Sequence, residues 1–248
     1  MSDNVVRVEG LTRSFGALLV LDDISLEIGR GEFVAVVGPS GCGKTTFLNL
    51  VSGFDRPTSG QVTRAGVVRM VYQQDGLFPW LTVAENIALG LRDMRDEREA
   101  ERQLAEMFVL IGLEEFANHY PHQLSGGMRQ RVELARALAA PSDILLLDEP
   151  FSSLDYLTRL RMRDELARLL TERPRTVVLV THDIEEAAQL ADRIVVLTER
   201  PARISRELRL DVPRPRELTH PEVVAAVHGI LMDLGIERDA ERSAVPGP

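Results

Sequence analysis

The stretch "GPSGCGKT", Gly38 to Thr45, constrains this chain more than any other. It has the form G-x-x-x-x-G-K-[ST] and stands between a buried-strand run, "EFVAVVG", and a helix-forming run that begins at Lys44. A strand that turns through glycines directly into a helix opens a βα unit and leaves main-chain N–H groups and a helix N-terminus facing an anion. With ordinary usage of these residue types, a chance match anywhere in a chain of this length is about 1%. Gly38, Pro39, Ser40, Gly41, Cys42, Gly43, Lys44, Thr45 and Thr46 are therefore the expected phosphate-binding segment. Lys44 would bridge β- and γ-phosphates, and Thr45 would hold Mg2+.

The surrounding pattern fits an α/β core. "NVVRVEGL", "ISLEI" and "EFVAVVG" read as strands that begin antiparallel and end in a buried strand, and the first helix runs from Lys44 to Val51, stopped by Gly53. Between Thr82 and Ala140 the text turns helical, with Leu104, Met107, Phe108 and Ile111 on one face. "ILLLDEP" and "TVVLVTH" are apolar throughout and separated by a helical segment, the mark of a parallel sheet covered on both faces. A basic, Pro-rich tail from about residue 200 leads to a last helix carrying Val223, Val224, Val227, Ile230, Leu231 and Leu234. The expected organisation is one domain over 1–248, with a helical subdomain at about 82–140 and a short tail at 200–248.

Composition narrows the partners. The net charge of −9 and pI near 5.2 argue against a general electrostatic grip on nucleic acid or anionic lipid. The start "MSDNVVRVEG" lacks signal-peptide blocks, and no apolar run approaches the ~18 residues of a membrane span. A single cysteine, Cys42, excludes an internal disulfide framework and fits a reducing compartment. Lying near a helix N-terminus, that thiol reads either as a small loop residue or as an oxidisable one.

Other candidates lie at strand ends. Asp148 and Glu149 close "ILLLDE", where ligands bind in open α/β sheets. Side chains alternate along a strand, so Asp148 is the expected Mg2+ partner through water and Glu149 the polariser of an attacking water. His182, after the strand "TVVLVT", is placed to reach a γ-phosphate, and in "VYQQDG" Gln73, with its neighbour Gln74 competing for the role, is placed to offer a carbonyl oxygen to Mg2+. Phe15 is either a stacking partner for a base or core filler. "LFPWL", with Phe78, Trp80 and Leu81, is either a partner site or packing between the helical insertion and the sheet.

Taken in order, "GPSGCGKTT", "LSGGMRQR", "ILLLDEP", "SSLD" and "VTHD" resemble the ATP-binding subunit of ABC transporters over about residues 5 to 210. The resemblance implies a P-loop NTPase core with a mainly parallel sheet, an N-terminal antiparallel β subdomain and an inserted α-helical subdomain. It implies ATP and Mg2+ as ligands, Phe15 as the base-stacking aromatic, Gln73 as the loop glutamine, Glu149 as catalytic base, Asp155 at the end of a dimer-contacting loop and His182 as the switch histidine. Ser125, Gly126 and Gly127 would serve in trans, on the γ-phosphate of ATP held by a second ATP-binding subunit. "LFPWLTVAENIALGL" and the "RPARI" tail resemble the importer branch for nitrate, sulfonate, taurine and related anions. That implies an integral membrane permease, docked near Trp80, a periplasmic or extracellular solute-binding protein, and a place on the cytoplasmic face of the membrane. Met128 and Phe15 replace commoner residues of the family, and Ser152 and Ser153 stand where the branch often has Gly-Ala.

Two other classes share the motifs. One energises a non-import task such as lipoprotein release or cell division. The other is a DNA-repair ATPase, which would need long heptad arms or zinc modules that this text lacks.

Overall fold

The computed structural model describes residues 3–72 and 76–235. The chain divides into two compact units, Met1–Ala65 with Thr176–Pro248, and Gly66–Arg175.

In the first unit, β1 (Asn4–Phe15) and β2 (Leu18–Gly29) form a long antiparallel hairpin closed by a tight turn in which Phe15 pairs with Leu18 and Gly16 takes φ +60°. Both strands run further than apolar alternation suggests, because "TRSF" of β1 and "LLVLDD" of β2 are held by cross-strand pairing as far as the turn. Along β2, Ile24, Leu26 and Ile28 are buried while Ser25 and Glu27 face out, so one side of the hairpin feeds the core. β3 (Phe33–Val37) is buried throughout and leads to α1 (Lys44–Ser52), which Gly53 ends in a left-handed cap. β4 (Ser59–Arg64) pairs antiparallel with the outer side of β1, giving the order β2-β1-β4.

The second unit opens with β5 (Val68–Val71) and then carries α2 (Val83–Ala88), α3 (Glu97–Ile111) and α4 (Gly126–Ala139). β6 (Ile144–Asp148), buried at every residue, pairs parallel with β5, and α5 (Tyr156–Glu172) follows. On α3 the expected face is the buried one: Met107, Phe108 and Ile111 are inside and Leu104 is half-buried.

Back in the first unit, β7 (Thr176–Thr181) and β8 (Arg193–Leu197) flank β3, both parallel to it, with α6 (Ile184–Leu190) between them in sequence. Helices cover such strands on both faces, which is why β3, β7 and β8 lack polar alternation. β9 (Ile204–Arg209) adds antiparallel to β8, and α7 (Pro221–Asp233) closes the unit. Val223 and Ile230 of α7 are buried, whereas Val224 faces out.

The segment before α7 is tied down by charge. Asp192 accepts from the Phe33 N–H at 2.9 Å and from Arg214 at 3.3 Å. Arg214 also donates to the Leu190 carbonyl at 3.2 Å. The buried Arg216 donates to the carbonyls of Val212, Ala188 and Ala191. Cations at the end of α6 satisfy carbonyls that the helix itself leaves open.

Candidate active site

In the first unit, β3 delivers the chain into the glycine-rich turn, and Gly43 occupies the N-cap of α1 at φ 119°, a left-handed conformation open to glycine. A Cβ there would also lie 2.7 Å from Val20 Cγ1. The N-cap Gly43 has no side chain to cap α1, and a helix N-terminus of this kind suits an anion. Lys44 is buried, and its Nζ donates to the carbonyls of Gly38 at 2.9 Å and Pro39 at 3.0 Å, which spans the loop with a fixed ammonium. Thr45 lies exposed at the same helix end, and a hydroxyl is the hard oxygen donor that Mg2+ takes. An uncapped helix end, a spanning ammonium and a neighbouring hydroxyl fit a nucleotide's phosphates and their Mg2+.

Cys42 is buried, and burial pushes its thiol above the usual range in spite of the nearby Lys44 ammonium. Of its two sequence readings, the small loop residue fits and the oxidisable thiol does not. Arg200 was not singled out in the sequence, yet its guanidinium reaches within 3.6 Å of where a Gly41 Cβ would stand. A second cation thus flanks the loop.

Phe15 ends β1 at 49% exposure, with the Arg13 guanidinium 4.3 Å from its ring centroid and Arg13 held by Asp55 at 2.8 Å. That much exposure sets aside the core-filler reading. His182 is exposed just beyond β7 and is fixed by its neighbours. The Thr181 hydroxyl donates to Glu186 at 2.7 Å and accepts from the Asp183 N–H at 2.9 Å, while Asp183 caps α6 through the Glu186 N–H at 3.0 Å. The sequence marks the histidine but not this clamp.

In the second unit, β6 carries Asp148 to its buried carboxyl end. Glu149 follows with φ 48°, one of two non-glycine residues with positive φ among the described residues. Such a conformation in a residue with a Cβ is held by its surroundings and gathers at functional positions. Ser125 caps α4, its hydroxyl oxygen accepting from the Met128 N–H at 3.2 Å, and Gly126 lies exposed beside it. A Cβ on Gly127 would stand 3.1 Å from the Ser153 carbonyl oxygen, so glycine is needed there for close approach. Asp155 caps α5, and the hydroxyl and N–H of Thr158 hold its carboxyl below the usual range. Gln73 lies outside the described residues.

Trp80 is 69% exposed, stacked at a tilt on Phe78 with centroids 5.4 Å apart. Asn86, fully buried on α2, sets this loop. Its Oδ1 accepts from the Phe78 N–H at 2.9 Å, and its Nδ2 donates to the carbonyls of Phe78 at 3.2 Å and Leu81 at 3.0 Å. The loop borders a groove of about 470 Å³ lined by Met70, Phe78, Trp80, Leu89 and the arginines Arg69 and Arg136. Packing in the core is therefore excluded for Trp80.

Residues 21–152 match the ABC transporter family. The chain belongs to that family. As an ABC ATPase it binds and hydrolyses ATP. This ATPase is 45% identical over 223 residues to an aliphatic sulfonates import ATP-binding protein of Burkholderia lata, spanning 87% of this chain and 68% of that protein. It is 47% identical over 214 residues to a nitrate import ATP-binding protein of Synechococcus elongatus, spanning 82% of this chain and 32% of that longer protein. Among solved structures it resembles the dimeric, post-hydrolysis form of the ATP-binding cassette MJ0796 bound to ADP and Pi, with a TM-score of 0.73, 35% identity, and coverage of 84% of this chain and 99% of that one.

Proposed function

We propose that this ABC ATPase energises import of a small anion, of the nitrate or sulfonate kind, through a membrane permease. The observation that carries the catalytic half is the first turn of α1, left without a side-chain cap beneath a fixed Lys44 ammonium. The transport half is supported by its likeness to import ATP-binding proteins for sulfonates and nitrate.

In this reading the N–H groups from Gly41 to Thr46 bind the phosphates, Lys44 bridges β and γ, and Phe15 stacks on the adenine. The Thr45 hydroxyl, the Asp148 carboxylate and Gln73 hold Mg2+, which neutralises charge on the phosphate oxygens when bound. Glu149 takes up the proton of the attacking water, and His182 donates to the γ-phosphate, where charge develops. Ser125, Gly126 and Gly127 present a second helix N-terminus to the γ-phosphate held by another copy, so two chains close head to tail on two nucleotides and hydrolysis releases them. Differential affinity of ATP for the closed state drives the change. The groove beside Trp80 receives a helix of the permease, which holds the ATPase at the cytoplasmic membrane face. A solute-binding protein on the far side supplies the anion. Among the described residues no helix is long and apolar enough to cross a membrane.

Glu149→Gln tests the reading. It is expected to keep ATP binding, lower turnover by about 10²-fold or more, and elute as a dimer when ATP and magnesium are present. Hydrolysis at the parent rate removes Glu149 as base, and failure to co-purify with any polytopic membrane protein removes the transport half.

A further inference from the structure

Gln130 makes a connection that no motif names. It sits on the second turn of α4, 5% exposed, and both ends of its amide are engaged. Nε2 donates to the Glu149 carbonyl at 3.0 Å, and Oε1 accepts from the Ser153 N–H at 3.1 Å and from the Ser153 hydroxyl. The same Glu149 carbonyl accepts the Ser152 N–H at 3.2 Å and the Ser152 hydroxyl at 3.0 Å. Three donors thus converge on the main chain of the residue whose φ is +48°. One turn earlier on the same helix, Gly127 approaches Ser153 and Leu154 so closely that a Cβ would stand 3.1 Å from each. An amide is the side-chain group that offers a donor and an acceptor side by side. A carboxylate would lose the first contact and a thioether both.

We propose that Gln130 is a positioning residue. It ties the helix whose N-terminus meets the nucleotide of a partner copy to the backbone that aims Glu149 at its own copy's nucleotide. This rests on the two-copy reading of the site. Helix α4 and the turn 149–154 then shift as one body, so engagement of one nucleotide sets the geometry for hydrolysis of the other, and the coupling is reciprocal for binding.

The test compares the parent chain with Gln130→Met, which keeps the length and loses the amide. The parent is expected to hydrolyse ATP with a Hill coefficient approaching two, and a parent without cooperativity would overturn the coupling. In Gln130→Met the coefficient should fall to about one and kcat by about tenfold, with KM changed less than about twofold. Parent values of kcat and Hill coefficient in the variant sink the assignment. ATP-driven dimerisation is read in parallel. Glu149→Gln alone must dimerise, since its failure would break the two-copy reading itself. Glu149→Gln with Gln130→Met must dimerise as well, since loss there would reduce Gln130 to a support of α4. Should Gln130→Met not fold, Ser153→Ala, at an exposed position, takes its place. It removes one donor to Oε1 and should lower kcat and the Hill coefficient in the same direction by a smaller factor. Unchanged values in a folded Ser153→Ala overturn the proposal.

Discussion

Lys44 Nζ lies 2.9 Å from the carbonyl oxygen of Gly38, the residue that opens the loop Lys44 closes. The ammonium is thus placed before any nucleotide arrives, and little side-chain entropy remains to be lost on binding. Lys44→Met should weaken ATP binding by about 10- to 100-fold, the worth of a charge-assisted hydrogen bond. Calorimetric titration of ATP into the purified chain measures it, and parent affinity in the variant would take Lys44 out of the phosphate site.

Ser125→Arg puts a long cation on the exposed helix end. A single chain should bind ATP with its parent affinity while ATP-dependent dimerisation disappears, as seen by light scattering of the Glu149→Gln background with and without the change. Losing the cap also lowers stability by about 1 kcal/mol, visible as a small drop in melting temperature. Loss of nucleotide binding by the monomer would instead assign the serine to its own chain's site.

Trp80→Ala removes an exposed ring, so the isolated chain should unfold within about 0.5 kcal/mol of the parent. In the reconstituted complex, stimulation of ATP hydrolysis by the permease should fall severalfold. Equal stimulation in parent and variant vesicles would detach Trp80 from the partner.

The Cys42 thiol has a folded-state pKa raised by burial, so folding favours its protonated form. The stability it contributes is complete below the ordinary thiol value of about 8.5 and is lost as pH rises through the raised value. Urea unfolding from pH 7 to 10 should therefore show a decline that Cys42→Ala flattens. Iodoacetamide should alkylate the folded chain far more slowly at pH 8 than the urea-unfolded one.

What the sequence makes readable is local. Gly43 and Lys44 belong to one unbroken run whose residue types dictate its backbone, and Asp148 ends, and Glu149 follows, a strand apolar enough to read as a buried parallel one. Gln130 escaped because its partners lie 19 and 23 residues along the chain, and an amide on a helix has no periodicity to betray it. Arg200 escaped for the same reason: only the fold brings it beside Gly41. β4 shows no apolar alternation, being mostly exposed, and is a strand because β1 offers it an unpaired edge. For Phe15 and Trp80 the residue type allowed two environments, and solvent exposure chose between them.

The arginines after β9 make the region from 210 to 217 part of the body that carries His182. Cutting the chain before Arg214 would strand the carbonyls of Ala188, Leu190 and Ala191 without their cations and leave Asp192 answering only to Phe33. A version shortened before Arg214 therefore loosens the helix that follows the histidine.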